Sequence, residues 1–300
     1  MRLTVLLLLT VAVCAFAYDP LYYQNLTEVL PSMGTSGNIA LGYFHTSQIW
    51  LADSTGEFNL YDLQESNSVL RMLFTGRYGL TASHTLSGMV PMYIQLAGEE
   101  SSGGGGIADP WISVDGWIER DPQVLLRGAL RIPLKGYLET GDYTESDPHM
   151  ALDGAVTVKA AVSSGVFLQG TGGLRYYMEA WDRIPGSPDS AETKPPVELR
   201  GTGFLVFLLN PELEARAGLE VASRGKVSAE IGGSSQEVPH SSYRVLDLRL
   251  GFDLGRTDMD LTADVYIRLS GENAYKEWGV MLTGLGLGFS DLVETTGGGR

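Results

Sequence analysis

The chain has 300 residues, of which 38 are Gly and only one is Cys, and its 36 Asp and Glu outnumber 21 Lys and Arg for a formal net charge of -15. That surplus of acid excludes binding to a nucleic-acid backbone, which needs clustered Lys and Arg, and charge-driven adhesion to anionic lipid. A single cysteine excludes a disulfide framework and a thiolate metal site.

Met1-Arg2 opens an apolar run over residues 3–17 that closes on the small-residue pattern Ala15-Phe16-Ala17. This reads as a secretory signal peptide, residues 1–17, cut before Tyr18. The run is too short for a spanning helix, and no later segment offers about 18 consecutive apolar residues. Cys14 lies inside the signal and follows Val13 rather than a small residue, which argues against a lipoprotein. Residues 18–36 form a periplasmic N-terminal segment able to plug a lumen. Residues 37–289 form the main domain, and residues 290–300 a flexible tail.

The main domain alternates. Over residues 150–162, Met150, Leu152, Gly154, Val156, Val158, Ala160 and Val162 share one face while Asp153, Thr157 and Lys159 share the other. Leu126, Leu130, Ile132 and Leu134 alternate in the same way with Arg127 and Arg131. So do Leu261, Ala263, Val265 and Ile267 with Asp264 and Arg268. Period 2 gives β-strands with one apolar and one polar face, and runs of about a dozen residues suit tilted strands crossing a bilayer. Short turns near residues 80–83, 120–122, 163–165, 210–211 and 255–257 alternate with longer polar segments near 52–67, 98–107, 136–148, 180–196, 224–241 and 271–276. Alternating short and long connections predict an all-β transmembrane antiparallel up-and-down β-barrel of about 12 strands in a bacterial outer membrane, both termini periplasmic.

Aromatic residues on the apolar face supply a register. Tyr78, Phe207 and Phe252 lie near short turns and Phe289 ends the last strand, whereas Tyr176 and Tyr243 lie beside long loops. Two belts of aromatic rings at the membrane interfaces are the expected arrangement. The last strand, residues 278–289, ends on an aromatic residue like the signal read by barrel-insertion machinery. Its alternation slips between Leu282 and Leu285, which a β-bulge near Gly284 would reconcile.

The polar face then lines a lumen. It carries Arg71, Arg77, Arg127, Arg131, Arg175, Arg200, Arg216, Arg249 and Arg268, together with Asp115, Asp153, Glu179, Glu198, Glu220, Asp247, Asp253 and Asp264. One reading is an internal ion-pair network that stiffens the wall, and the other a charged constriction that selects small polar or anionic solutes. No cofactor, metal or catalysis is expected. His45, His84, His149 and His240 read as isolated, and His84 with nearby Ser87 falls at the wrong rim for a lipid hydrolase of the outer face. Asp142, Glu145 and Asp147 read as solvated loop residues. The glycine runs at 103–106 and 297–299 read as loop and tail, since neither ends in the Lys-Ser/Thr of a phosphate cradle.

Several segments carry a resemblance. Arg77-Tyr78-Gly79-Leu80-Thr81, Val90-Pro91, Gly106-Ile107-Ala108-Asp109-Pro110 and Arg131-Ile132-Pro133 resemble the bacterial outer-membrane β-barrel family of meta-pathway phenol degradation, or transporter-like, proteins. The chain departs from that pattern at Ala82-Ser83, where an acidic-basic pair is usual, and at Leu134-Lys135-Gly136, where Thr-Gly-Asp is common. The resemblance implies an outer-membrane barrel passing small organic compounds. Lipid, the insertion machinery and a small solute are the partners expected; the alternative is a closed barrel whose acidic outer loops bind at the surface.

Overall fold

The computed structural model describes residues 29–52, 58–96, 104–134, 139–140, 145–183, 190–231, 233–238, 241–256 and 259–284. Twelve long strands build it: β1 (Thr35–Ala52), β2 (Phe58–Thr81), β3 (His84–Leu96), β4 (Trp111–Arg120), β5 (Gln123–Arg131), β6 (Ala151–Ser163), β7 (Val166–Tyr177), β8 (Glu198–Asn210), β9 (Leu213–Arg224), β10 (Tyr243–Arg256), β11 (Met259–Glu272) and β12 (Ala274–Gly284). Each pairs antiparallel with the next in sequence, and β12 returns to pair with β1, with Leu41 opposite Leu282 and Phe44 opposite Gly279. The sheet is therefore a closed twelve-stranded barrel without a free edge, which satisfies every strand from both sides. No helix among the described residues is long and apolar enough to cross a membrane.

Local chemistry explains the turns. Ala82-Ser83, Asp121-Pro122, Ser164-Gly165 and Pro211-Glu212 each join two long strands at one rim, and Gly165 takes a φ of 77° that favours glycine. Side chains alternate across the wall. On β6, Ala151, Asp153 and Ala155 are buried while Leu152, Gly154 and Val156 are exposed. The same division runs round the barrel, with Leu126, Leu174, Leu199, Leu205, Leu250 and Val280 exposed on the outside. Apolar area turned outward in this quantity has no aqueous rationale and suits a hydrocarbon solvent.

The opposite rim carries the structural surprises. The strand β2 begins at Phe58, inside the loop expected near 52–67, and a bulge at residues 63–66 faces Ser47 where the register shifts between Thr46 and Gln48. The loop expected near 271–276 contracts to Asn273, with a φ of 48° between β11 and β12. Two expected loops instead fold into sheet: Ala180–Arg183, Ser190–Lys194, Ser228–Ile231 and Ser234–Glu237 form a separate four-stranded antiparallel sheet at this rim. Gly105–Ile107, read as flexible loop, continues the wall beside β3 and also pairs with Glu139–Thr140.

Before β1 the chain turns into the barrel. The backbone N–H of Leu30 donates to Oγ1 of the inward-facing Thr85 at 2.8 Å, and Met33 N–H donates to the Gly79 carbonyl at 2.8 Å. A Cβ on Gly79 would lie 1.9 Å from the Pro31 carbonyl oxygen, so only glycine allows this approach. The signal peptide, the first part of the N-terminal segment, Phe289 and the bulge near Gly284 with its following residues lie outside the described residues.

Candidate functional site in the barrel lumen

The interior combines an apolar cluster with ion pairs. Phe44, Leu73, Met89, Trp111, Tyr177 and Met281 come from six different strands and pack together inside the barrel. The Phe44 ring lies flat on the wall, and a Cβ on Gly279 would sit 2.4 Å from its Cδ1, so the ring occupies space that the missing side chain leaves.

Near the short-turn rim, Arg216 donates to both oxygens of Asp264 at 2.8 and 2.9 Å and to Asp253 Oδ2 at 2.9 Å. Lys159 pairs with Glu214 at 3.3 Å there, and Arg249 pairs with Glu220 at 3.0 Å further along the wall. Midway, Arg127 on β5 donates through Nε to Asp115 on β4 at 2.7 Å, directly across the strand pair. Arg175 reaches Asp153 at 3.2 Å, and Arg268 forks onto Asp247 at 2.8 and 3.1 Å while also donating to the Tyr266 hydroxyl. Such forked contacts are the geometry in which guanidinium and carboxylate fit best.

Towards the long-loop rim the charges interleave with rings. Glu198 accepts from Arg200 and from the Tyr177 hydroxyl at 2.5 Å, with Arg175 Nη1 at 3.6 Å. The Arg175 guanidinium lies 4.5 Å from the Trp111 ring centre, and Arg224 lies 5.5 and 5.1 Å from Tyr177 and Tyr243. These are cation–π distances. Arg71 pairs with Glu145 at 2.7 Å and Glu277 at 3.4 Å, its guanidinium 4.3 Å from the Phe44 ring.

The structure places Arg71, Arg127, Arg131, Arg175, Arg200, Arg216, Arg249 and Arg268 inside and buried, together with Asp115, Asp153, Glu198, Asp247 and Asp264. Arg77 is partly buried on the same inner face, opposite Ser36. Tyr78, Phe207, Phe252 and Tyr176 are exposed on the outside. Two assignments change. Tyr243, expected in the outer aromatic belt, is 3% exposed and faces inward, because it shares parity with Val245 and Asp247 rather than with Leu250 and Phe252. Glu179, read as inward, sits half exposed beyond β7 and pairs with Lys194 at 2.6 Å.

The loop acids need a larger correction. The side chains of Glu145 and Asp147 are buried and ion-paired rather than solvated, because residues 145–149, which lead back into β6, lie over the lumen. Asp142 lies outside the described residues. Asp109 accepts backbone N–H groups from Leu134 and Asp147, each at 2.8 Å. Burial pushes its carboxyl up to about 6, against the pull of Arg131. Burial alone would raise Asp147 too, but Arg131 and then His149 hold it well below the usual carboxylate range. Nor is His149 isolated. Its Nδ1 lies 2.5 Å from Asp147 Oδ1 and its Nε2 lies 2.8 Å from Thr193 Oγ1 in the four-stranded sheet. Sequence reading also missed Arg224 and Glu277, although parity with Arg216 and Glu220 on β9 and with Met281 on β12 would have found both.

Nucleophile–histidine contacts give no complete catalytic set among the described residues. Ser87 faces inward and donates to Asp115 at 3.5 Å, whereas the imidazole of exposed His84 meets the hydroxyls of Thr81 and Ser83 near the turn. Ser68 Oγ lies 3.0 Å from His45 Nδ1 and 2.9 Å from the Tyr43 hydroxyl on the outer wall. No carboxylate is paired with that imidazole among the described residues, which leaves its tautomer without the usual orienting partner.

No protein-family model matches the sequence, and no curated protein does. Among solved structures, the chain is similar to the COG4313 outer membrane channel from Pseudomonas putida F1, with a TM-score of 0.69 and 16% identity over 89% of this chain and 98% of that one. It is also similar to the NanC porin, at TM-score 0.47 and 10% identity over 83% and 98% of the two chains. A further match is the CymD monoaromatic hydrocarbon channel, at TM-score 0.44 and 8% identity over 86% and 89%. The first likeness establishes a shared fold: this chain has the β-barrel fold of the Pseudomonas putida channel.

Proposed function

We propose that the chain is exported by its N-terminal signal, spans a bacterial outer membrane with both termini periplasmic, and gives small solutes a passive path through its charged lumen. The observation that carries this reading is the inversion of polarity across one closed wall: leucines and valines cover the outside, and arginine–carboxylate pairs line the inside. A guanidinium facing hydrocarbon at mid-membrane costs about 2–4 kcal/mol. Turned inward, it can hold a hydrated path and sort solutes by charge and size. Outer-membrane lipid is then the solvent of the wall, and insertion machinery is the partner during biogenesis. The channel fold of the Pseudomonas putida protein supports the reading, and the resemblance through Arg77–Thr81 and Arg131–Pro133 extends it to small organic compounds.

A closed structural barrel with interacting outer loops is the second reading, favoured by the burial of Arg71, Asp115, Arg175 and Glu198 to 2% exposure or less. Swelling of vesicles loaded with the folded protein separates the two. Entry of small neutral and charged organic solutes at rates that fall with size supports the channel. Vesicles no leakier than empty ones, with folded protein in them, refute it.

A further inference from the structure

The connection between β5 and β6 does not simply leave the wall for solvent. Ser146, Asp147 and His149 on its returning limb are buried, as is the side chain of Glu145, which meets Arg71 on β2, four strands away round the wall from β6, which the limb joins at Ala151. The limb therefore lies across the long-loop end of the lumen. Its base is closed by Asp109, which accepts from Leu134 at one side of the connection and from Asp147 at the other. Asp147 is further held by Arg131 at 3.2 Å and by His149, which is anchored in turn to Thr193.

Glu145, two residues nearer the tip, is held differently. Its partner Arg71 also faces Glu277 on β12, with Nη1 and Nη2 at 3.4 and 3.5 Å, and lies over the Phe44 ring. We propose that residues 145–146, at the head of this limb, are the constriction of the channel, and that the Glu145–Arg71 pair is the latch that keeps them across the lumen. This inference rests on the channel reading. When Glu145 and Ser146 swing away, Arg71 keeps the carboxylate of Glu277 and the face of Phe44. The open state thus avoids the penalty of a buried guanidinium stripped of its counter-charge. Two states of nearly equal free energy are what a gate requires. Asp147, bonded to Asp109, Arg131 and His149, stays as the hinge.

The test uses the full chain with Cys14→Ser and Ser146→Cys, folded into vesicles, and a membrane-impermeant maleimide as the probe of the limb. Glu145→Gln should raise both the rate of thiol labelling and the open probability in planar bilayers by about tenfold, the shift that about 1.4 kcal/mol produces. Glu277→Gln should leave labelling slow, because it spares the latch itself. Labelling unchanged by Glu145→Gln overturns the latch. Faster labelling in a protein that never conducts keeps the latch and overturns the channel reading, so the two failures are distinguishable.

Discussion

Replacing Asp115 by Asn removes a carboxylate that is fully buried on β4 and lies 2.7 Å from Arg127 Nε on the neighbouring strand. Among the described residues the only other contact at that carboxylate is a long one from Ser87 at 3.5 Å, too weak to stand in for an ion pair. In a dry interior, deleting one partner of such a pair costs about 3–5 kcal/mol, since the guanidinium keeps its desolvation while losing this counter-charge. In a wide, water-filled lumen the same change costs about 1 kcal/mol or less, as at a surface. The assay is urea unfolding of the barrel in phosphocholine vesicles, followed by tryptophan fluorescence and by the mobility difference between folded and heated protein. The Asp115→Asn variant should fall in the higher range, and adding Arg127→Met should restore most of the loss, because an apolar pair of similar volume is tolerated there. A single-variant loss under about 1 kcal/mol would refute the dry setting of the Asp115 carboxylate.

The remaining expectations address the wall, the packing and the loop base. Val156 on β6 faces outward, so Val156→Arg should destabilise the inserted barrel by about 2–4 kcal/mol in the same urea titration, whereas Val156→Leu should be near neutral; equal midpoints for both would contradict a lipid-facing wall. Gly279→Ala should cost about 1–3 kcal/mol by driving the Phe44 ring towards Arg71, and a structure of the variant with the ring unmoved would contradict that account. Asp109 is raised in the folded state to about 6, so the folded barrel binds its proton more tightly than the unfolded chain does. Its contribution to stability therefore grows as pH falls from 7 through 6 towards 4. The lowered Asp147 acts oppositely, stabilising above about pH 4 and losing that support only in stronger acid. Urea midpoints measured between pH 7 and 5 should rise relative to Asp109→Asn; a constant difference between the two proteins would remove the assignment.

The barrel was largely legible in the sequence because its rules are local. Turns such as Asp121-Pro122 and Ser164-Gly165 announce themselves through residues that fix or free the backbone, and the two-residue alternation of 150–162 survives because one side of the wall must be apolar. What escaped was non-local. Ser190–Lys194, with the sequence SAETK, has no apolar alternation, and it forms a strand only because Ala180–Arg183 and Ser228–Ile231 flank it. Glu145 and Asp147 read as solvated loop residues and His149 as isolated, since nothing in their own segment foretells Arg71, Arg131 or Thr193 as partners. Tyr243 escaped for a simpler reason: ring type suggested the interface, but parity along β10 put it inside.

Passage through the lumen is the central claim, and single-channel recording of the folded full-length chain in a planar bilayer tests it most directly. The account predicts small, stable conductance steps whose reversal potential in a salt gradient shifts towards cation preference when Arg127 or Arg131 is replaced by Gln. A silent bilayer containing verified folded barrel, or steps indifferent to both substitutions, would contradict it.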